Sequence, residues 1–149
     1  MVGYKYGLWL VYNQNTFNTA HIGHFTVQCF MNKEDAFKLY DKINNNYGNT
    51  FPIHVEKMGS LFNTDFYNHD KNNLHAWGYY GSIKNWELLQ NAAKEYFGDF
   101  SYKPHTSVIY SNDKSLLTPI NLENDITIVG NLKVVNINAD DPSNWSLLN

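Results

Sequence analysis

The sequence predicts a single α+β domain built on an antiparallel sheet. Three observations lead there. Runs rich in β-branched and aromatic residues outnumber helical patterns. Those runs follow one another closely, as hairpin neighbours do, instead of alternating one for one with helices. Only two segments carry an apolar stripe at helical spacing.

The first strand is the compact buried run Leu8-Trp9-Leu10-Val11-Tyr12. Residues 24–31 form the second, with even and odd positions separating into two faces. Asn32 reads as an N-cap, followed by acidic Glu34 and Asp35. The helix it opens runs to about residue 43, with Ala36, Leu39, Tyr40 and Ile43 on one stripe. The run Asn44-Asn45-Asn46 reads as its end and a loop. Residues 51–58, 61–67 and 74–80 read as three further strands, Gly59-Ser60 turning between the first two. A second helix is expected over 83–97, with Trp86, Leu89, Ala93 and Phe97 in register and Gly98 closing it. A strand at 106–110 is entered through Pro104, and a last one spans 126–137.

A chain of 149 residues with 43% apolar content is long enough for one core and short for two. Aromatics at 16% and a net charge of −3 oppose disorder. No apolar run approaches the ~20 residues of a membrane helix, and no signal peptide is read, so a soluble, cytoplasmic, monomeric protein is expected. The lone Cys29 builds no disulfide framework. All 11 positive charges are lysine, while asparagine occurs 22 times, a composition that AT-rich coding sequence tends to produce. A mildly acidic protein without arginine lacks the electrostatic footprint for gripping long nucleic acid; a nucleotide partner would be small.

The chemistry is carried by a repeated pattern, His-x-Ser/Thr, found as His24-Phe25-Thr26 and His105-Thr106-Ser107 in opposite halves of the chain. Positions i and i+2 of a strand share a face, so each motif presents an imidazole beside a hydroxyl. Two such strands across one cleft suit a phosphodiester. One neutral imidazole takes a proton from the attacking oxygen, and the other, protonated, gives one to the leaving oxygen. The hydroxyls donate to the non-bridging oxygens. One neutral and one protonated imidazole near pH 6–7 would give a bell-shaped profile. The remaining histidines, His21, His54, His69 and His75, have no hydroxyl at that offset. His21 and His24 lie three apart but find no carboxylate or cysteine at usable offsets, so no metal or other cofactor is expected.

In this pairing the chain resembles the two-histidine (2H) phosphoesterase superfamily, marked by two His-φ-Ser/Thr-φ motifs at about this separation. Gly7-Leu8-Trp9-Leu10-Val11 resembles the family's opening strand. Lys103-Pro104-His105-Thr106-Ser107-Val108-Ile109-Tyr110 is similar to the Pro-His-φ-Ser-Leu-φ-Tyr segment of its cyclic phosphodiesterase branch, and residues 51–62 to the family's central segment. Thr106 departs from the pattern, where an apolar residue is usual, and the absence of arginine leaves lysine or backbone N–H groups to neutralise phosphate. The resemblance implies a bilobal pseudo-twofold α+β fold, helices outside and a central groove. It implies metal-independent phosphodiester cleavage by His24 and His105, with Thr26 and Ser107 on the phosphate. Members act on 2′,3′-cyclic nucleotides, ADP-ribose cyclic phosphate, RNA ends, 2′-5′ oligoadenylates or cyclic dinucleotides, and several viral and phage members destroy such messengers. The compact, arginine-free, Asn-rich chain puts a cyclic oligonucleotide or 2′-5′ oligoadenylate messenger ahead. The alternative is a 2′,3′-cyclic nucleotide or ADP-ribose cyclic phosphate. A silent nucleotide sponge, or a structural domain with accidental motifs, are readings of other classes.

A base needs a flat apolar wall. Trp9, Tyr12, Trp77, Tyr79 and Tyr110 are candidates, and Lys103 could attract phosphate. Which histidine is acid and which is base stays open at this level. Asn144-Trp145-Ser146 reads only as a glycosylation sequon.

Overall fold

A computed structural model describes residues 5–63, 75–95, 103–111, 113, 117, 121–137 and 144–149, the side chains of Phe30 and Asn63 excepted. Among these residues it is an α+β fold of seven strands and two α-helices: β1 (Tyr6–Val11), β2 (His24–Met31), α1 (Lys33–Tyr47), β3 (Thr50–Asn63), β4 (His75–Ile83), α2 (Trp86–Lys94), β5 (His105–Ser111), β6 (Ile126–Asn136) and β7 (Ser146–Leu147). Every ladder is antiparallel. The order is β2-β1-β6-β3-β4-β5, with β7 added to β6. No helix among the described residues is long and apolar enough to cross a membrane.

Alternation along the strands sorts the sheet into two faces. Leu8, Leu10, Phe25, Val27, Ile53, Val55, Leu132 and Val134 join Ala36, Leu39 and Ile43 of α1 and Leu89 and Ala93 of α2 in one buried core. Burial on this scale supplies the main driving force for the fold. The amide of Gln90 in α2 also donates to the Val27 carbonyl at 2.7 Å, holding that helix on β2. The outermost strands of the pairing order, β2 and β5, contact each other. The sheet therefore curls until its two edges meet.

Several boundaries differ from the sequence expectation. The Asn32 cap is as expected, its side chain accepting from the Asp35 amide at 2.8 Å. Helix α1 continues through Asn44-Asn45-Asn46, because the modest helix penalty of asparagine is outweighed by packing. It stops where Gly48 takes φ +85° and returns its N–H to the Asn44 carbonyl. Gly59-Ser60 is not a turn: β3 runs through it, its register with β4 shifting between Val55 and Gly59. A Cβ on Gly59 would stand 2.1 Å from the Trp77 ring, so this glycine serves close packing. Ile83 ends β4 opposite Ile53 instead of opening a helix. Residues 64–67, Leu74, Phe97 and Gly98 lie outside the described residues.

Gly78 sets the seat of β5. A Cβ there would meet the Thr106 carbonyl oxygen at 1.8 Å, a backbone atom that cannot step aside. Gly78→Ala is expected to cost about 2 kcal/mol or more by forcing β5 off β4, measured by denaturant unfolding. A change under half that value would show that β5 is free to shift.

Candidate active site

The first motif lies where β2 begins. His24 stands opposite Val11, and Thr26 opposite Trp9; paired residues share a face, so all four lie on the side opposite to Leu10 and Phe25. The His24 ring stacks flat on Trp9, centroids 3.5 Å apart at 5°. Its Nδ1–H donates to the Ile22 carbonyl at 2.7 Å; a carbonyl can only accept, which fixes the tautomer and makes Nε2 the unprotonated nitrogen of the neutral ring.

The second motif repeats this anchoring. The Nδ1–H of His105 donates to the carbonyl of Lys103, again two residues earlier, at 2.9 Å. His105 and Ser107 turn away from the core while Thr106 between them turns into it. The register with β4 then shifts between Gly78 and Trp77. That irregularity inverts the alternation and returns Tyr110 to the side of Ser107, with which its hydroxyl is hydrogen-bonded. Burial pushes the Tyr110 phenol up to about 12, against the opposing effect of that bond, so it is neutral at pH 7.

The structure brings the motifs together. His21 Nε2–H donates to the Ser107 carbonyl at 2.8 Å, and its ring lies 6.1 Å from His24 and 5.1 Å from Tyr110. His105 is near enough to His24 for its charge to act there. His24 is only 7% exposed. Burial, with the charges of His21 and His105 added and the Ile22 carbonyl opposing, takes its pKa down to about 3. His24 is therefore neutral at pH 7.

Aromatic side chains line both motifs. Near His24 the wall is Trp9, Tyr110 and Trp145; the Trp145 ring meets Trp9 edge-on at 5.5 Å and His24 at 5.9 Å. Strand β7 holds Trp145 there, with Leu148 N–H donating to the Val134 carbonyl at 2.8 Å. Near His105 the wall is Phe62, 4.8 Å away, and Tyr80, 6.3 Å away. Lys103 Nζ sits 4.2 Å over the Tyr80 ring.

Not every stacking candidate is in this place. Trp77, 6% exposed, and Tyr79 lie on the core face: they stand two apart on β4, and Tyr79 is opposite buried Thr106. Tyr12 is also in the core, its ring edge-on to Phe17 and Phe25. No family model and no curated protein matches the chain. Its chemistry is therefore read from these side chains. Trp145, Phe62 and Tyr80 were not distinguished by the sequence, where they are three among 24 aromatics. His21 stood out only for its spacing from His24. Among the described residues, no three His, Cys, Asp or Glu side chains converge as metal ligands would. His54 instead pairs with Asp125 at 3.2 Å on the surface.

A histidine held neutral in the fold makes stability depend on pH. Below its ordinary value of 6.5 the unfolded chain binds a proton that native His24 refuses until about pH 3. The stability present above pH 6.5 is thus lost progressively as pH falls through that window. His24→Phe keeps a flat ring on Trp9 and should lose stability less steeply between those limits, read from urea midpoints. Parallel curves for the two proteins would mean that native His24 titrates normally.

Proposed function

We propose that this chain is a metal-independent phosphodiesterase of the two-histidine kind, acting in the cytoplasm on a small nucleotide. We read its curled sheet as the bilobal pseudo-twofold fold of that superfamily. The observation that carries the proposal is the repeated anchoring: each motif histidine gives Nδ1–H to the carbonyl two residues before it, on strands that meet. Both Nε2 atoms are thereby left for substrate.

The unequal burial of the two rings supports one division of roles. His24, neutral at pH 7, is the general base: its Nε2 takes the proton of the attacking hydroxyl, that of water or of a vicinal ribose position. The oxygen closes on phosphorus as the bond to the leaving oxygen breaks. His105, entering as imidazolium, gives its Nε2 proton to that oxygen. Thr26 and Ser107 donate to the non-bridging oxygens, where charge is held in the transition state. Tyr110, hydrogen-bonded to Ser107, helps to hold the serine hydroxyl in place.

Aromatic walls beside both histidines favour a substrate carrying a base on each side of the scissile phosphate. Stacking contributes ~1–3 kcal/mol per base. A cyclic oligonucleotide or 2′-5′ oligoadenylate, the chemistry of immune messengers, meets that requirement; a 2′,3′-cyclic mononucleotide fills one wall only.

The test is a panel in EDTA: 2′,3′-cyclic mononucleotides, 2′-5′ oligoadenylate, and 2′3′- and 3′3′-linked cyclic dinucleotides, with products read by mass spectrometry. His24→Ala and His105→Ala are each expected to lower turnover by about 10²–10⁴-fold. Thr26→Ala and Ser107→Ala should cost about 10²–10³-fold. Undiminished turnover in either histidine variant overturns the proposal. Intact ligand retained without cleavage would point to a sponge, and no thermal shift with any nucleotide to a structural domain.

A further inference from the structure

We propose that Tyr12 and His21 are positioning residues that set β5, and with it His105 and Ser107, against the first motif. This rests on the phosphodiesterase reading of the site and adds residues to it. The Tyr12 hydroxyl and the Thr106 hydroxyl share a 2.7 Å hydrogen bond across 94 residues of sequence. Tyr12 is 4% exposed and Thr106 1%. Two hydroxyls buried in an apolar core contribute little net stability, since an apolar pair of the same shape packs about as well. What such a pair supplies is a definite alignment, because losing it leaves a polar group stranded.

β5 needs that alignment. It is an edge strand paired only with β4, and its register shifts just beyond Ser107. Slippage by one residue would exchange Thr106 for His105 and Ser107 on the groove face. The Thr106 hydroxyl, seated on Tyr12, opposes that slip, and His21 holds the next residue by its carbonyl.

The same segment reaches the first motif. Tyr12 N–H donates to the Gly23 carbonyl at 3.1 Å. The Tyr12 ring fills the space where a Gly23 Cβ would stand, 2.4 Å from its nearest atom. His24 is the next residue. The loop is braced internally, Gln14 Nε2 donating to the Thr19 carbonyl at 2.8 Å and the Thr19 hydroxyl to the His21 carbonyl at 2.6 Å. Phe17 stacks on Tyr79 at 5.2 Å, tying it to β4. One short connector therefore touches both motifs. It also accounts for Thr106, the residue that departs from the 2H pattern.

Tyr12→Phe, Thr106→Val and the double variant separate alignment from stability. Each single variant is expected to lower the melting temperature, and the double to recover most of that loss. On whichever panel substrate the wild type cleaves, the double should still lose about tenfold in kcat with KM changed less than threefold. Wild-type kcat in the double overturns the proposal. At His21, Gln can keep the donor to Ser107 and should retain kcat within a few-fold, whereas Phe should not; equal rates for the two overturn its part. The His105 ring resonances in NMR spectra of the full chain give a reading independent of turnover. If the wild type cleaves nothing, the phosphodiesterase reading falls by itself. The clasp is then supported by a His105 shift in the refolded double variant, and overturned by an unmoved one.

Discussion

The meeting of β2 and β5 is the constraint on which the site depends. In a flat sheet of this order, with four strands between them, the two motifs would stand far apart, about 4.8 Å farther with each strand crossed. Curling closes that gap because one face carries a continuous core and both helices. Packing the apolar face inward leaves the imidazoles and hydroxyls on the other side of the same strands. Core and site are two faces of one alternation, and a change of register in either motif strand would exchange them.

The two histidines share an anchor and differ in surroundings. His24 lies flat on Trp9 under the edge of Trp145, almost without solvent. His105 has Phe62 and Tyr80 for neighbours and remains partly open. A repeated anchor thus leaves two imidazoles in unlike surroundings, one buried and one partly open. Burial acts against the charged imidazole, and the carbonyl anchor on His24 recovers only part of that cost.

Much of the fold was legible. Periodicity located both helices and the motif strands, since alternation and the 3.6-residue stripe record burial directly. The Asn32 cap was legible for the same reason, a local rule with a local cause. Ends set by tertiary packing were not. The asparagine run stays helical until Gly48, and Gly59 continues a strand beneath Trp77. At the site, spacing marked His24, Thr26, His105 and Ser107, because i and i+2 must share a face. The walls around them depend on long-range ladders and on a register shift, neither of which leaves a local trace. Tyr12 and Trp77, aromatic like the rest, proved to be core.

Gly23 carries a consequence for reading sequence variation. It holds no functional group and touches no proposed substrate, yet any side chain there strikes the ring of Tyr12. The displaced ring would pull on Thr106 and so on the histidine beside it. In a survey of substitutions, intolerance at Gly23 would be steric in origin, transmitted through one phenol.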